Sequence, residues 1–124
     1  MTLDDRIDLY CAAWNEPLAT RRVAMLVPIW TDDTQYTDPT VHAVGRKALS
    51  DHIDGVLARL PGSVVVCTTA LDVHHDVLRF GWKRVLADGS VRVEGIDIVE
   101  FAADHTLRRV VGFFGPMAPT GRAP

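Results

Sequence analysis

The stretch Val91–Phe101 constrains the fold more than any other part of the chain. Its odd positions, Val91, Val93, Gly95, Asp97, Val99 and Phe101, are apolar except for one carboxylate. Its even positions are Arg92, Glu94, Ile96, Ile98 and Glu100. Successive side chains of a strand point to opposite faces, so this period of two predicts a strand with an inner, odd face. A strand this long twists and curls. Asp97 therefore stands on the inner face, where a carboxylate costs free energy unless it is hydrogen-bonded or protonated, and where desolvation raises its pKa. The even face suits a partly covered outer surface or a contact with a second copy.

The same logic extends to the segments around it. Val64–Val73 and Val77–Leu86 read as strands, Ala87-Asp88-Gly89-Ser90 as a hairpin turn, and Ala103-Asp104-His105 as the turn into a last strand, Leu107–Phe114. The first sixty residues are different. Leu3, Ile7, Tyr10, Cys11 and Trp14 recur at helical spacing behind a Thr2 cap with Asp5 three residues on. A second helix is expected over about Leu18–Val27 with Val23, Leu26 and Val27 inward, ended by Pro28. A short strand, Thr34–Thr37, stops at Asp38-Pro39. A third helix spans about Arg46–Leu60, with Leu49, Ile53, Val56, Leu57 and Leu60 on one face, and Pro61-Gly62 closes it. Three helices followed by a meander of long strands define an α+β fold, a curved, mostly antiparallel sheet with helices on one side. A curled sheet closed by helices is a cone with an open mouth, which is a natural ligand site.

The 124 residues fit one domain, expected over 1–115, with a Pro- and Gly-rich tail at 116–124 expected to be flexible. A net charge of −3 supplies no basic field for nucleic acid. No apolar run approaches the length of a membrane span. The N-terminal residues show no basic segment leading into an apolar one, so a cytoplasmic location is expected. Cys11 lies on the first helix stripe and Cys67 in an apolar strand run, which suits free thiols while leaving a disulfide between them open.

Strand parity also selects a pocket wall. Phe80 and Trp82 share the more apolar face of Val77–Leu86, and Phe114 closes the last strand. Tyr36 and Asp38 share a face of the short strand. Val99 joins Asp97 on the inner face, His52 sits on the apolar stripe of the third helix, and Trp14 on that of the first. His75 is expected beside the pocket, where a histidine is a candidate acid or base. His74 and His75, being adjacent, make a poor metal pair, and no third ligand has suitable spacing. No metal or other cofactor is expected. The sequence holds no P-loop, dinucleotide fingerprint or nucleophile elbow.

Four stretches, in order, resemble the nuclear-transport-factor-2-like superfamily of α+β cones, and within it the SnoaL-like polyketide cyclases and ketosteroid-isomerase-like proteins. They are Trp30–Pro39 ending in Asp-Pro, Gly45-Arg46 before a helix, Glu94–Phe101, and Leu107–Phe114. The resemblance runs from the first helix through Gly115. In ketosteroid isomerases the Asp of that Asp-Pro is the general base, and an Asp of the penultimate strand stays protonated and donates to the enolate oxygen. The resemblance therefore implies Asp38 as base and Asp97 as oxyanion donor. It also implies a homodimer formed through the sheet. Those isomerases carry a donor tyrosine in the first helix; the nearest match here is Trp14, with Tyr10 one turn earlier.

Two function classes follow. One is an isomerase or lyase that moves protons on a small apolar carbonyl compound, with Asp38 and Asp97 catalytic and Trp14, Tyr36, His52, His75, Phe80, Trp82, Val99 and Phe114 holding the ligand. The alternative is a non-catalytic module of the same fold that binds a small hydrophobic molecule or dimerises. Hydrolysis by water activation would need a network such as Asp-Arg-Asp, for which Arg79 and His75 are the candidates; strand parity sets Arg79 opposite Phe80 and Trp82.

Overall fold

The computed structural model describes residues 1–122 and contains three helices and seven strands. Helix α1, Leu3–Trp14, opens on a capping box: Thr2 Oγ1 accepts from the Asp5 N–H at 3.1 Å, and Asp5 Oδ2 accepts from the Thr2 N–H at 2.9 Å. Its buried stripe is Ile7, Tyr10, Cys11, Ala13 and Trp14. Asn15, just past its end, bonds both ways to the Val65 backbone, at 2.7 and 3.0 Å, and so pairs polar groups that the edge of the sheet would otherwise leave open.

Helix α2, Ala19–Leu26, turns a different face inward from the one expected. Leu26 is buried as predicted, but its buried companion is Arg22, while Val27 is 56% exposed and Val23 only half-buried. Arg22 succeeds inside because its guanidinium is saturated. It donates to the Glu16 carbonyl twice, to the Ser50 carbonyl and hydroxyl, and to the Asp54 carboxylate at 2.8 Å.

Strand β1, Trp30–Asp38, is longer than the expected Thr34–Thr37, and β2, Val41–Val44, was not foreseen. Helix α3, Gly45–Arg59, follows at once. Gly45 has φ +86°, and a Cβ there would sit 3.1 Å from the Asp32 carbonyl, so this position calls for glycine. Leu49 and Ile53 are buried, whereas Val56, Leu57 and Leu60 are only half-buried.

The predicted strand Val64–Val73 is two pieces, β3 (Val64–Cys67) and β4 (Asp72–His74), both paired with β5 (Val77–Val85). The break lies at Gly81, whose N–H is taken by the Thr69 hydroxyl at 2.8 Å and whose carbonyl accepts from the Thr68 N–H. Strands β6, Val91–Phe101, and β7, Leu107–Phe114, have the predicted bounds. Residues 116–122 carry no regular structure; the last two residues of the expected tail lie outside the described residues.

The strand order is β2-β1-β7-β6-β5-β3, antiparallel except for the parallel β1–β7 pair. Helix α3 packs on β1 and β2 at one end of this order, and α1 packs on β3 at the other. The sheet curls to bring both ends under helices, and its concave middle is left as a hollow beneath them.

Candidate active site

That hollow is a cavity of about 460 Å³, within the range typical of small-molecule sites. Register decides what stands on its floor. Asp97 pairs with Gly112 across β6 and β7, and Thr37 with Val111 across β1 and β7, so Asp38 comes beside Gly112 from the other side. One row of the sheet therefore reads Asp38, Gly112, Asp97, Phe80. The two aspartates are two strand spacings apart, roughly 10 Å between backbones, with no side chain between them. A Cβ on residue 112 would lie 3.0 Å from Asp97 Oδ1, 3.4 Å from Asp38 Cβ and 3.6 Å from Tyr36 Oη. The glycine keeps open the space that both carboxylates face.

Asp97 is 5% exposed, and Oδ1 accepts one hydrogen bond, from the Trp82 indole N–H at 2.9 Å. Burial raises its pKa to about 7, against the pull of the Trp82 bond, and the nearby Asp38 charge adds to the rise. Near neutrality it is thus poised between a carboxylic acid that can donate and a carboxylate that cannot.

Asp38 is held differently. Oδ2 accepts from the Tyr36 hydroxyl at 2.6 Å; Oδ1 accepts from the Thr40 N–H and hydroxyl, both at 2.7 Å. His52 Nε2 stands 4.0 Å from Oδ2. Burial lowers the His52 pKa, and the nearby Asp38 charge only partly offsets it. Trp14 packs against Tyr36 and His52, with ring centroids 5.3 and 5.8 Å away, and completes an aromatic collar around Asp38.

The cavity brings together Asp38, Asp97 and six of the predicted ligand residues, Trp14, Tyr36, His52, Phe80, Trp82 and Phe114. Two others stand elsewhere. His75 is exposed in the turn after β4, at φ +51°, and does not line the cavity. Val99 shares the Asp97 face but is fully buried in the core, one pleat deeper than the cavity floor. Arg79 points outward and pairs with Asp72 at 2.8 Å, as parity required. Among the described residues no cluster of three His, Cys, Asp or Glu side chains is placed to hold a metal ion. No helix of the described residues is long and apolar enough to cross a membrane.

Tyr10 and Arg84 of the lining, and Gly112 between the two carboxylates, lie outside the expected site residues. Tyr10 reaches the cavity from α1, fully buried, with a hydroxyl that makes no hydrogen bond of good geometry. Its pKa is pushed up by burial and by the Asp97 charge. Helical spacing already put it on the Trp14 stripe. Arg84 lies on the inner face of β5, 5% exposed, and parity with Phe80 and Trp82 would have found it. Gly112 had no signal in isolation; only the strand register gives it meaning.

No family model matches the chain, and no curated protein does. Solved structures do. A presumed isomerase of the SnoaL-like family from Agrobacterium tumefaciens superposes with a TM-score of 0.85 at 29% identity, over 94% of this chain and 100% of that one. An NTF2-like protein of unknown function from Exiguobacterium superposes with a TM-score of 0.67 at 19% identity, over 94% and 100%. A presumed polyketide cyclase from Sinorhizobium meliloti gives 0.68 at 15%, over 87% and 93%. The fold, helices on a curled sheet around a cavity, is that of the nuclear-transport-factor-2-like proteins. The chain shares that fold, with SnoaL-like proteins among its structural neighbours.

Proposed function

We propose that the protein is an acid/base enzyme acting on a small, largely apolar carbonyl compound, in the manner of a ketosteroid isomerase or polyketide cyclase. One observation carries the reading: two carboxylates of unlike environment flank Gly112 on the floor of one cavity. Asp38 removes a proton from the carbon next to the carbonyl, and the C–H electron pair moves through the carbon framework onto the oxygen. Asp97, in its protonated form, donates a hydrogen bond to that enolate oxygen, and the unspent Tyr10 hydroxyl is a second donor at the same end. Asp38 then returns the proton to a different carbon. The aromatic side chains of the wall, Trp14, Tyr36, Phe80, Trp82 and Phe114 among them, shield the enolate from water. The isomerase and cyclase names among the structural neighbours point to the same chemistry.

A second reading has its own support. Asp38 already accepts three hydrogen bonds, two of them in a local turn with Thr40, and this is how a purely structural aspartate is held. On that reading the cavity binds a small hydrophobic molecule without turning it over. Binding of 2-naphthol, a phenol that mimics an enolate, separates the two. The enzyme reading expects it to bind wild type and to weaken at least about tenfold in D97N, with D38N abolishing proton exchange at the α-carbon of a bound ketone. Equal affinity for wild type and D97N, with no exchange in either, leaves the binding module.

A further inference from the structure

The two buried arginines are treated in opposite ways. Arg22, fully buried, has donors matched by backbone carbonyls, a hydroxyl and the Asp54 carboxylate. Arg84, 5% exposed, makes one hydrogen bond, from Nη1 to the neutral Ser63 hydroxyl at 2.9 Å. Among the described residues none of the ion pairs includes it. Its remaining donors have no protein partner among the described residues and open onto the cavity rather than being sealed in the core, so a ligand there can satisfy them. Arg84 lines the cavity, and its charge is felt by Tyr36 and His52 across that space. Two more arginines, Arg59 and Arg92, line the same cavity as exposed residues, and a ligand entering there meets positive charge.

We infer that the ligand is anionic: an apolar compound with a carboxylate that seats on Arg84. This rests on the cavity being the ligand site proposed above. A planar guanidinium fork matches a carboxylate bidentately, which makes arginine the fitting anchor in a desolvated place. Arg84 is four residues along β5 from Phe80, the residue paired with Asp97. At the rise of a strand the two ends of the site are therefore roughly 13 Å apart along the backbone. The arginine side chain spans part of that distance. The substrate class is thus a keto acid whose carboxylate is remote from the reacting carbonyl. The carboxylate sits at the Arg84 end and the carbonyl at the end of Asp38 and Asp97, with Trp82 and Phe114 flanking the apolar body between them.

The test compares 2-naphthoate with its uncharged methyl ester, and both with 2-naphthol, by calorimetry on the wild-type protein and on R84Q. The expected result is naphthoate binding at least about tenfold tighter than the ester, with that preference lost in R84Q while 2-naphthol affinity stays within about twofold. Ester and acid binding wild type equally overturns the anion anchor and leaves the cavity reading standing. Failure of all three probes to bind wild type removes the cavity reading and this inference together. The wild-type comparison needs no variant, so misfolding of R84Q does not shield the inference, and R84K, which keeps the charge, is expected to retain part of the preference.

Discussion

Replacing Asp97 by asparagine should make the protein more stable at pH 8 and leave it nearly unchanged at pH 4. The group is buried, its one partner is the Trp82 indole, and Asp38, Tyr36 and Tyr10 face it across Gly112 and from α1. No cation pairs with it among the described residues. Its pKa rises from 3.8 to about 7 on folding, chiefly through burial. As pH climbs past 3.8 the unfolded chain releases this proton while the folded chain keeps it. Stability therefore falls from about pH 4 to about pH 7 and is level above. A difference of about three in pKa at about 1.4 kcal/mol each gives about 4 kcal/mol lost across that window. Asparagine keeps the size and can accept the Trp82 bond, but it carries no proton to lose. Urea denaturation at intervals from pH 4 to pH 8 reads the stability of both proteins, and subtraction cancels the titrating groups that Asp97 does not touch. The expected difference curve is near zero at the acid end and approaches 4 kcal/mol in favour of D97N at pH 8. A flat difference curve refutes the reasoning, because it would mean that Asp97 ionises as easily folded as unfolded.

W82F removes the bond that holds the Asp97 pKa down, so the carboxyl should titrate higher than about 7, as followed by the infrared band of the protonated acid or by carbon NMR. G112A puts a methyl group 3.0 Å from Asp97 Oδ1; it should cost about 1–3 kcal/mol in a thermal melt and weaken 2-naphthol by more than about tenfold. The Cys11 and Cys67 sulfurs are 2.8 Å apart. Cys67 is only half-buried and its pKa is lowered by the bond from Cys11, whose own pKa is raised by that bond and by burial. Iodoacetamide should therefore alkylate Cys67 well before Cys11, as peptide mass spectrometry will read. We propose, finally, that the outer sheet face pairs with a second copy: Ile96 and Phe113 are cross-strand partners, 45% and 57% exposed, with Ile98 beside them at 41%. Light scattering should give a dimer mass for wild type and a monomer mass for F113K.

Period-two alternation made β6 legible to the residue, because its odd face is apolar enough to separate from the other, and β7 followed as the apolar run after the Ala103-Asp104-His105 turn. The capping box did the same for the start of α1. The expectation weakened wherever hydrogen bonds rather than apolar burial hold the backbone. Thr31-Asp32-Asp33 carries no hydrophobic signal, yet β1 runs through it, tied to β7 by the Thr34 hydroxyl donating to the Leu107 carbonyl at 2.6 Å. β2 is only four residues long, and two of the four, His42 and Val44, are exposed. The Val64–Val73 run is apolar at both ends, and what splits it is the threonine pair docked on Gly81 from another strand. None of these is visible in a local window of sequence.

The site shows why parity outperforms residue type as a guide. Asp97 was visible because it broke an apolar pattern on a face whose direction the pattern itself defined. Arg84 breaks the pattern of Leu78, Phe80 and Trp82 in the same way, two residues further along the same face, and so does Arg22 on the stripe of α2. Reading a charged residue as an exposed residue hid both arginines. Burial of charge is the more informative event, because each instance demands an account of what satisfies it. For Arg22 the account closes within the protein. For Asp97 it closes partly, through Trp82 and a retained proton. For Arg84 only the Ser63 bond closes within the described residues, and the remaining donors face the space that Asp38 and Asp97 also face. Arg6 Nε and Trp30 Nε1 are also buried without a partner, but neither residue lines the cavity. Arg84, Asp97 and the Tyr10 hydroxyl all converge on the cavity, which is where a ligand with an anionic end and a carbonyl end would complete them.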